Sequence, residues 1–241
     1  HEIALHKQSE RFHALRPFSD LISWLKVTHV NAHGVIVDKY VQHTKLIYQK
    51  DLSRFFEAVN NELNKIGAFE RRLSLRDGDS SISQTTPEAV NVSKQITNLV
   101  EIVLGEVGSV VETEQKFCTR FFHVSSEPSS AIETQSNASS ESNKTSEKQI
   151  SDQIRVILSP LFESVQEHMD HFIKHCCRIS PSIVFVLLVL LSKKALRLQD
   201  ATSYFSVMIF GRLVVLIKRQ FDVFMVSQVH SLYQKNAKRG N

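Results

Sequence analysis

The sequence predicts an all-α protein: an elongated helical bundle rod of long antiparallel helices, interrupted by two disordered polar insertions. Apolar residues recur at three- and four-residue spacing over stretches much longer than an average helix. Seven Gly and five Pro among 241 residues, about 3% and 2%, fall below the roughly 7% and 5% of ordinary chains, and turn-rich β architectures need those residues. Two Ser-rich segments hold almost no large apolar side chain, so they cannot offset the entropy of ordering.

The first helix expected runs from Phe18 through Leu21, Ile22, Trp24 and Leu25, with Ser19 or Asp20 near its start and Asn31 to Gly34 as a turn. A long helix then spans Val35 to Ile66, with Val37, Val41, Tyr48, Leu52, Phe55, Val59 and Leu63 along one face and Thr44 filling a gap. At 1.5 Å per residue it would be about 50 Å long, the dimension of a rod. Pro87 and Glu88 open a second long helix, whose seam reads Val92, Ile96, Leu99, Val103, Val107, Val110, Phe117 and Phe121 with one double step before Phe117. A third runs from Ile150 through Ile154, Ile157, Leu161, Val165, Met169, Phe172 and Cys176, bent at Pro160. A fourth begins near Pro181. The fifth carries Phe205, Ile209, Leu213, Leu216, Phe221, Phe224, Met225 and Leu232, with charges on its outer side. The division is therefore 1–73, a first helical segment; 74–87, a flexible insertion; 88–124, a long helix; 125–149, a Ser-rich insertion; and 150–241, a closing helical segment with a basic last helix.

With 42% hydrophobic residues the chain can hold one large or two small cores without disulfides. Three cysteines, two of them adjacent at Cys176 and Cys177, supply no paired framework, which points to a reducing compartment and so the cytosol. The chain starts at His1 with no basic and then apolar leader, so it is read as a fragment without a secretion signal. The longest apolar run, Ile183 to Leu191, has nine residues against the roughly 20 a membrane-spanning helix needs, and is read as buried helix or as an exposed apolar strip.

No G-x-S-x-G elbow and no G-x-x-x-x-G-K phosphate loop occurs, and the carboxylate pair Asp77 and Asp79 sits beside Gly78 in turn chemistry, so no enzyme is expected. His168, His171 and His175 share a helix face near Cys176 and Cys177, ligand types that suit zinc. The H-E-x-x-H order is missing and Cys176 fits the apolar seam, so a solvated histidine face competes with a metal site. From Gly211 to Asn241 six basic residues, Arg212, Lys218, Arg219, Lys235, Lys238 and Arg239, face one acid, Asp222, and account for the formal net charge of +4. Next to Phe221, Phe224 and Met225 they could attract anionic lipid headgroups, or form an ordinary solvated face whose stems cover the core. No cofactor and no small-molecule substrate is expected, and without an aromatic ribonucleoprotein signature neither is nucleic acid.

Three stretches resemble a known family. They are Val37-Asp38-Lys39-Tyr40-Val41 through Lys45-Leu46-Ile47-Tyr48 to Phe55-Phe56-Glu57, then Glu114-Gln115-Lys116-Phe117 with Phe121-Phe122, and then Phe210-Gly211-Arg212-Leu213 through Lys218-Arg219-Gln220-Phe221-Asp222. In order and spacing they are similar to the helical region of exocyst component 1, the family of the phosphoinositide-binding subunit. The resemblance implies a non-catalytic piece of a tethering-complex rod that helps hold secretory vesicles at the plasma membrane. It implies other exocyst subunits as partners, with anionic phosphoinositide lipids and small GTPases as partners of the family. The lipid-binding module and the coiled coil of that family lie N-terminal to the region seen here, so no lipid or GTPase contact is carried over to a residue of this chain.

Overall fold

The computed structural model describes residues 3–5, 8–76, 87–124, 141–199 and 204–239, with the side chains of 73–76, 87–90, 141–148, 198–199 and 235–239 outside that description. Among the described residues the architecture is helical, without strands: α1 (Ser9–Leu15), a 3-10 turn (Arg16–Phe18), α2 (Ser19–Thr28), α3 (Val30–Arg76), α4 (Pro87–Phe121), α5 (Glu141–Leu161), α6 (Glu163–Ile179), α7 (Ile183–Gln199) and α8 (Tyr204–Arg239).

The apolar spacing becomes the buried face. In α3 Thr44, Tyr48, Leu52, Phe55, Phe56, Val59 and Leu63 are all buried, and Val92, Ile96, Val103 and Val107 of α4 are likewise sealed. Its 47 residues make α3 about 70 Å long, longer than the expected rod. The expected turn at Asn31 to Gly34 is helical instead, because the chain breaks one step earlier, at His29, where φ −139° and ψ 67° leave the helical region. Gly34 costs the helix only conformational entropy and does not end it.

Pairings fix the direction of each leg. Tyr40 and Tyr48 near the start of α3 meet Phe117 and Glu114 near the end of α4, so these two helices are antiparallel. Lys45 meets Glu163 and Phe56 meets His168 and Phe172, so α3 and α6 run parallel, as alternate legs of an up-and-down arrangement must. Phe185 early in α7 touches Phe221 and Phe224 in the middle of α8, while Lys194 further along α7 lies over Phe210 near the start of α8, which makes α7 and α8 an antiparallel pair.

Two boundaries differ from expectation. The expected third helix is two helices, since the chain breaks at Phe162, two residues after Pro160, where φ −111° and ψ 22° separate α5 from α6. Proline has no N–H for the carbonyl one turn earlier, and that residue, Val156, is 73% exposed, so water can take the carbonyl. Helix α5 also begins at Glu141, nine residues before Ile150 and inside the expected Ser-rich insertion, where Glu141, Lys144, Glu147, Lys148 and Gln149 favour helix. The rest of both expected insertions, residues 77–86 and 125–140, lies outside the described residues.

Residues 3–5 and 8–28 form a strap across α3 and α4. The Leu5 amide donates to Glu106 at 3.0 Å, Gln8 to Asp51 at 3.0 Å, and Phe12 stacks on Phe117 with centroids 4.3 Å apart. At the end of α4 the amide of Val124 donates to the Thr119 carbonyl and that of His123 to the Arg120 carbonyl, which is the Schellman pattern. His123 takes its left-handed position at φ 48°, where Gly is usual. Its ring is used: Nε2 lies 3.1 Å from the Ser19 hydroxyl and 3.0 Å from the Ser19 carbonyl, tying the end of α4 to the start of α2.

Candidate functional site

Three features could do more than fill space: a buried polar node, the histidine face of α6, and the basic last helix. The node centres on Glu114, fully buried in α4. Its carboxylate accepts from the Arg11 guanidinium at 2.7 Å, from the Tyr48 hydroxyl at 2.6 Å, from the Tyr40 hydroxyl, and from the Cys118 thiol at 3.5 Å. Burial, and with it the nearby carboxylate, pushes the Tyr40, Tyr48 and Cys118 groups well above their ordinary values, so all three remain protonated donors. Burial is the largest influence on the Arg11 guanidinium and opposes its charge, yet Glu114 together with Tyr40 and Tyr48 outweighs it and holds the group more firmly protonated. Arg11 also lies over the rings of Phe12, Tyr40 and Tyr48 at 5.2 to 5.5 Å, while its Nε and Nη1 have no hydrogen-bond acceptor. The node joins the strap to the two long helices. It holds no nucleophile activated by a neighbouring base, because the Cys118 thiol is stabilised in its protonated form.

Sequence spacing left Glu114 unassigned, although a signal was present. The double step between Val110 and Phe117 in the α4 seam is where Glu114 sits, four residues after Val110 and four before Cys118. A carboxylate at a seam position requires buried donors.

The three candidate histidines do not converge. The His168 ring stacks on Phe56 at 5.0 Å and 8°, and burial lowers its pKa below the usual imidazole range. His171 is exposed, and His175 meets it only edge-on at 6.2 Å. Cys176 is buried among apolar side chains with its thiol pushed up, and burial raises the Cys177 thiol to about 11. Among the described residues no group of three or more His, Cys, Asp or Glu is arranged to hold a metal ion.

On α8, Arg212, Lys218 and Arg219 are exposed and make no ion pair among the described residues. Arg212 and Arg219 lie two turns apart on one side and, with Asp170 and Gln166 of α6, line a cleft of about 270 Å³. Helix α8 continues through Lys235, Lys238 and Arg239, whose side chains lie outside the described residues. Beyond Phe224 one side of the helix is apolar and yet uncovered: Met225, Val226, Val229, Leu232 and Tyr233 are all exposed, Val226 at 70%, while Ser227, Gln228, His230 and Ser231 occupy the other side. The run Ile183 to Leu191 divides between two faces, with Ile183, Val184, Leu187 and Leu191 buried and Phe185 and Val189 outward. No helix among the described residues is long and apolar enough to cross a membrane.

Comparison with known proteins bears on this arrangement of long helices and uncovered faces. Exocyst complex component 1 of Drosophila melanogaster is 24% identical over 268 residues, covering 96% of this chain and 30% of the relative. This chain thus spans about a third of that protein's length. No solved structure matches. The family model described as exocyst complex component Sec3, C-terminal, matches residues 119–240, from the last turn of α4 to the end of α8. That span is half of the chain, and it contains the basic helix, the histidine face and the α7–α8 pair; the chain belongs to the exocyst complex component Sec3 C-terminal family.

Proposed function

We propose that this chain is a non-catalytic scaffold segment of an exocyst subunit, acting in the docking of secretory vesicles at the plasma membrane during exocytosis. The observation that carries the proposal is the family match over α5 to α8 together with the uncovered apolar end of α8, a surface that suits another helical rod better than water. Other exocyst subunits are the proposed partners. The proposed location is cytoplasmic, peripheral at membrane sites of exocytosis. Arg212, Lys218 and Arg219, with Lys235, Lys238 and Arg239 further along, form the proposed contact surface, since a cation without an internal partner is free to meet an acidic one. Affinity purification of the tagged chain from cytosol tests this. Recovery of exocyst subunits, reduced in a Lys218→Glu/Arg219→Glu variant, supports the scaffold and its basic face, and recovery of none from either refutes it.

A second use of the same helix is favoured by the exposure of Lys218 and Arg219 near Val215, Val223 and Val226. Such a surface can sit on anionic phosphoinositide lipid at about 1 kcal/mol per basic residue. Binding to phosphoinositide vesicles that fades with salt and with the same double variant supports it, and binding indifferent to both removes it. Small GTPases, partners implied for the family, are assigned to no residue of this chain.

A further inference from the structure

A cleft of about 600 Å³ opens where the strap meets the last turns of α4, far in sequence from the basic helix. Its volume lies within the roughly 300–1,000 Å³ of ligand-binding clefts. One wall is a ladder of rings: Phe12 on Phe117 at 4.3 Å and 19°, and Phe117 on Phe121 at 5.0 Å and 15°. Arg16 from the 3-10 turn and Arg120 from α4 stand at its edge, both exposed, and neither guanidinium makes an ion pair or hydrogen bond among the described residues. Lys116 also lines it but is held by Glu112 at 2.7 Å, and Asp20 is the one carboxylate among the lining residues. Two free guanidinium groups therefore flank an aromatic wall.

We propose that this cleft docks an acidic peptide segment of a partner protein, one that places an apolar side chain against the phenylalanine ladder and its carboxylates on Arg16 and Arg120. Charge complementarity argues for this occupant. A guanidinium presents a planar fork of donors that matches a carboxylate in two parallel hydrogen bonds. Asp20 would repel a headgroup carrying several phosphate charges at close range, yet it can accept a backbone N–H of a peptide. The ring ladder gives a non-reacting anchor, the kind of contact that concentrates binding energy at interfaces. No part of the proposed exocyst role requires this cleft.

The test is fluorescence anisotropy on the whole chain with labelled synthetic peptides built only of Asp, Glu, Leu and Phe, beside matched peptides in which Lys replaces the acids. The acidic set should bind saturably and the basic set not at all. Arg16→Glu/Arg120→Glu should weaken binding at least tenfold, while the control Lys193→Glu/Arg197→Glu, on the exposed side of α7, leaves it unchanged. Because the four substituted side chains are exposed, unaltered circular dichroism certifies the fold. Raising the salt should weaken binding further, as the screening length shrinks from about 10 Å at 0.1 M to about 3 Å at 1 M. Failure of the acidic peptides to bind, equal loss in the control, or a preference for phosphoinositide vesicles through the same two arginines overturns the proposal.

Discussion

Replacing Glu114 by Gln removes one charge from the node and almost no volume. The wild-type carboxylate is fully buried and accepts from a guanidinium, two phenols and a thiol. The amide keeps one acceptor oxygen and turns an NH₂ group toward a guanidinium that cannot accept and phenols that must turn their hydroxyls to do so. Arg11 then loses its counter-charge while its Nε and Nη1 already lack acceptors. Removing one partner of a buried pair costs about 3–5 kcal/mol, and the 15% residual exposure of the Arg11 side chain puts the expectation at the low end, about 3 kcal/mol. Pairing it with Arg11→Met removes the stranded charge, so the double variant should be more stable than Glu114→Gln alone, with a coupling energy of about 2 kcal/mol. Urea unfolding followed by circular dichroism reads this directly. With urea slopes of about 1–3 kcal/mol/M, the Glu114→Gln midpoint falls by about 1–3 M. A single-variant loss under about 1 kcal/mol, or a double variant no better than the single, would refute the view that this carboxylate is the charged partner anchoring the strap.

Further outcomes follow from other parts of the fold. Burial lowers the pKa of His33, His168 and His175, so the unfolded chain binds more protons than the folded one once pH falls through the ordinary imidazole value of about 6.5. Stability from these groups is therefore present above that value and lost below it, and a series of urea midpoints against pH should show a decline that His168→Phe lessens. Gly105 sits inside α4 with open space where a side chain would go, so Gly105→Ala should raise stability by up to about 1 kcal/mol in thermal melts. At Gly67 an added methyl would meet Ile179 at 3.1 Å, so Gly67→Ala should gain less than Gly105→Ala or become destabilising in the same melts. Met169→Ala, at a fully buried position in α6, should cost about 2–5 kcal/mol in urea unfolding.

Periodicity made the long elements legible because a buried helix face repeats over many turns. Tyr48, Leu52, Val59 and Leu63 could hardly sit elsewhere than on one stripe. Breaks were harder to place because they depend on one or two residues whose cost the rest of the fold can absorb. Asn31 to Gly34 look like a turn and are helix, while the break is at His29, a residue with no breaker chemistry of its own. The strap helix α1 was missed since it has no fully buried residue and hence no seam, and polar links to α3 and α4 help fix it in place. Glu114 and Arg11 lie 103 residues apart, and no local pattern pairs a charge with a partner at that distance. Basic residues in the last helix, by contrast, could be counted from the sequence, and those with described side chains are exposed, where long charged side chains ordinarily stay.

The strap is also a matter of timing. Leu5 waits for Glu106, Arg11 for Glu114 and Ser19 for His123, separations of 101, 103 and 104 residues. At about 5–20 residues per second a ribosome needs roughly 5–20 s to deliver those partners, and until then Arg11 has no counter-charge and Phe12 no ring of α4 to stack on. The α7–α8 pair, joined by residues 200–203, faces no such delay. Nascent chains halted before Glu114 therefore carry an unlatched strap open to proteases and chaperones, and release past His123 closes it.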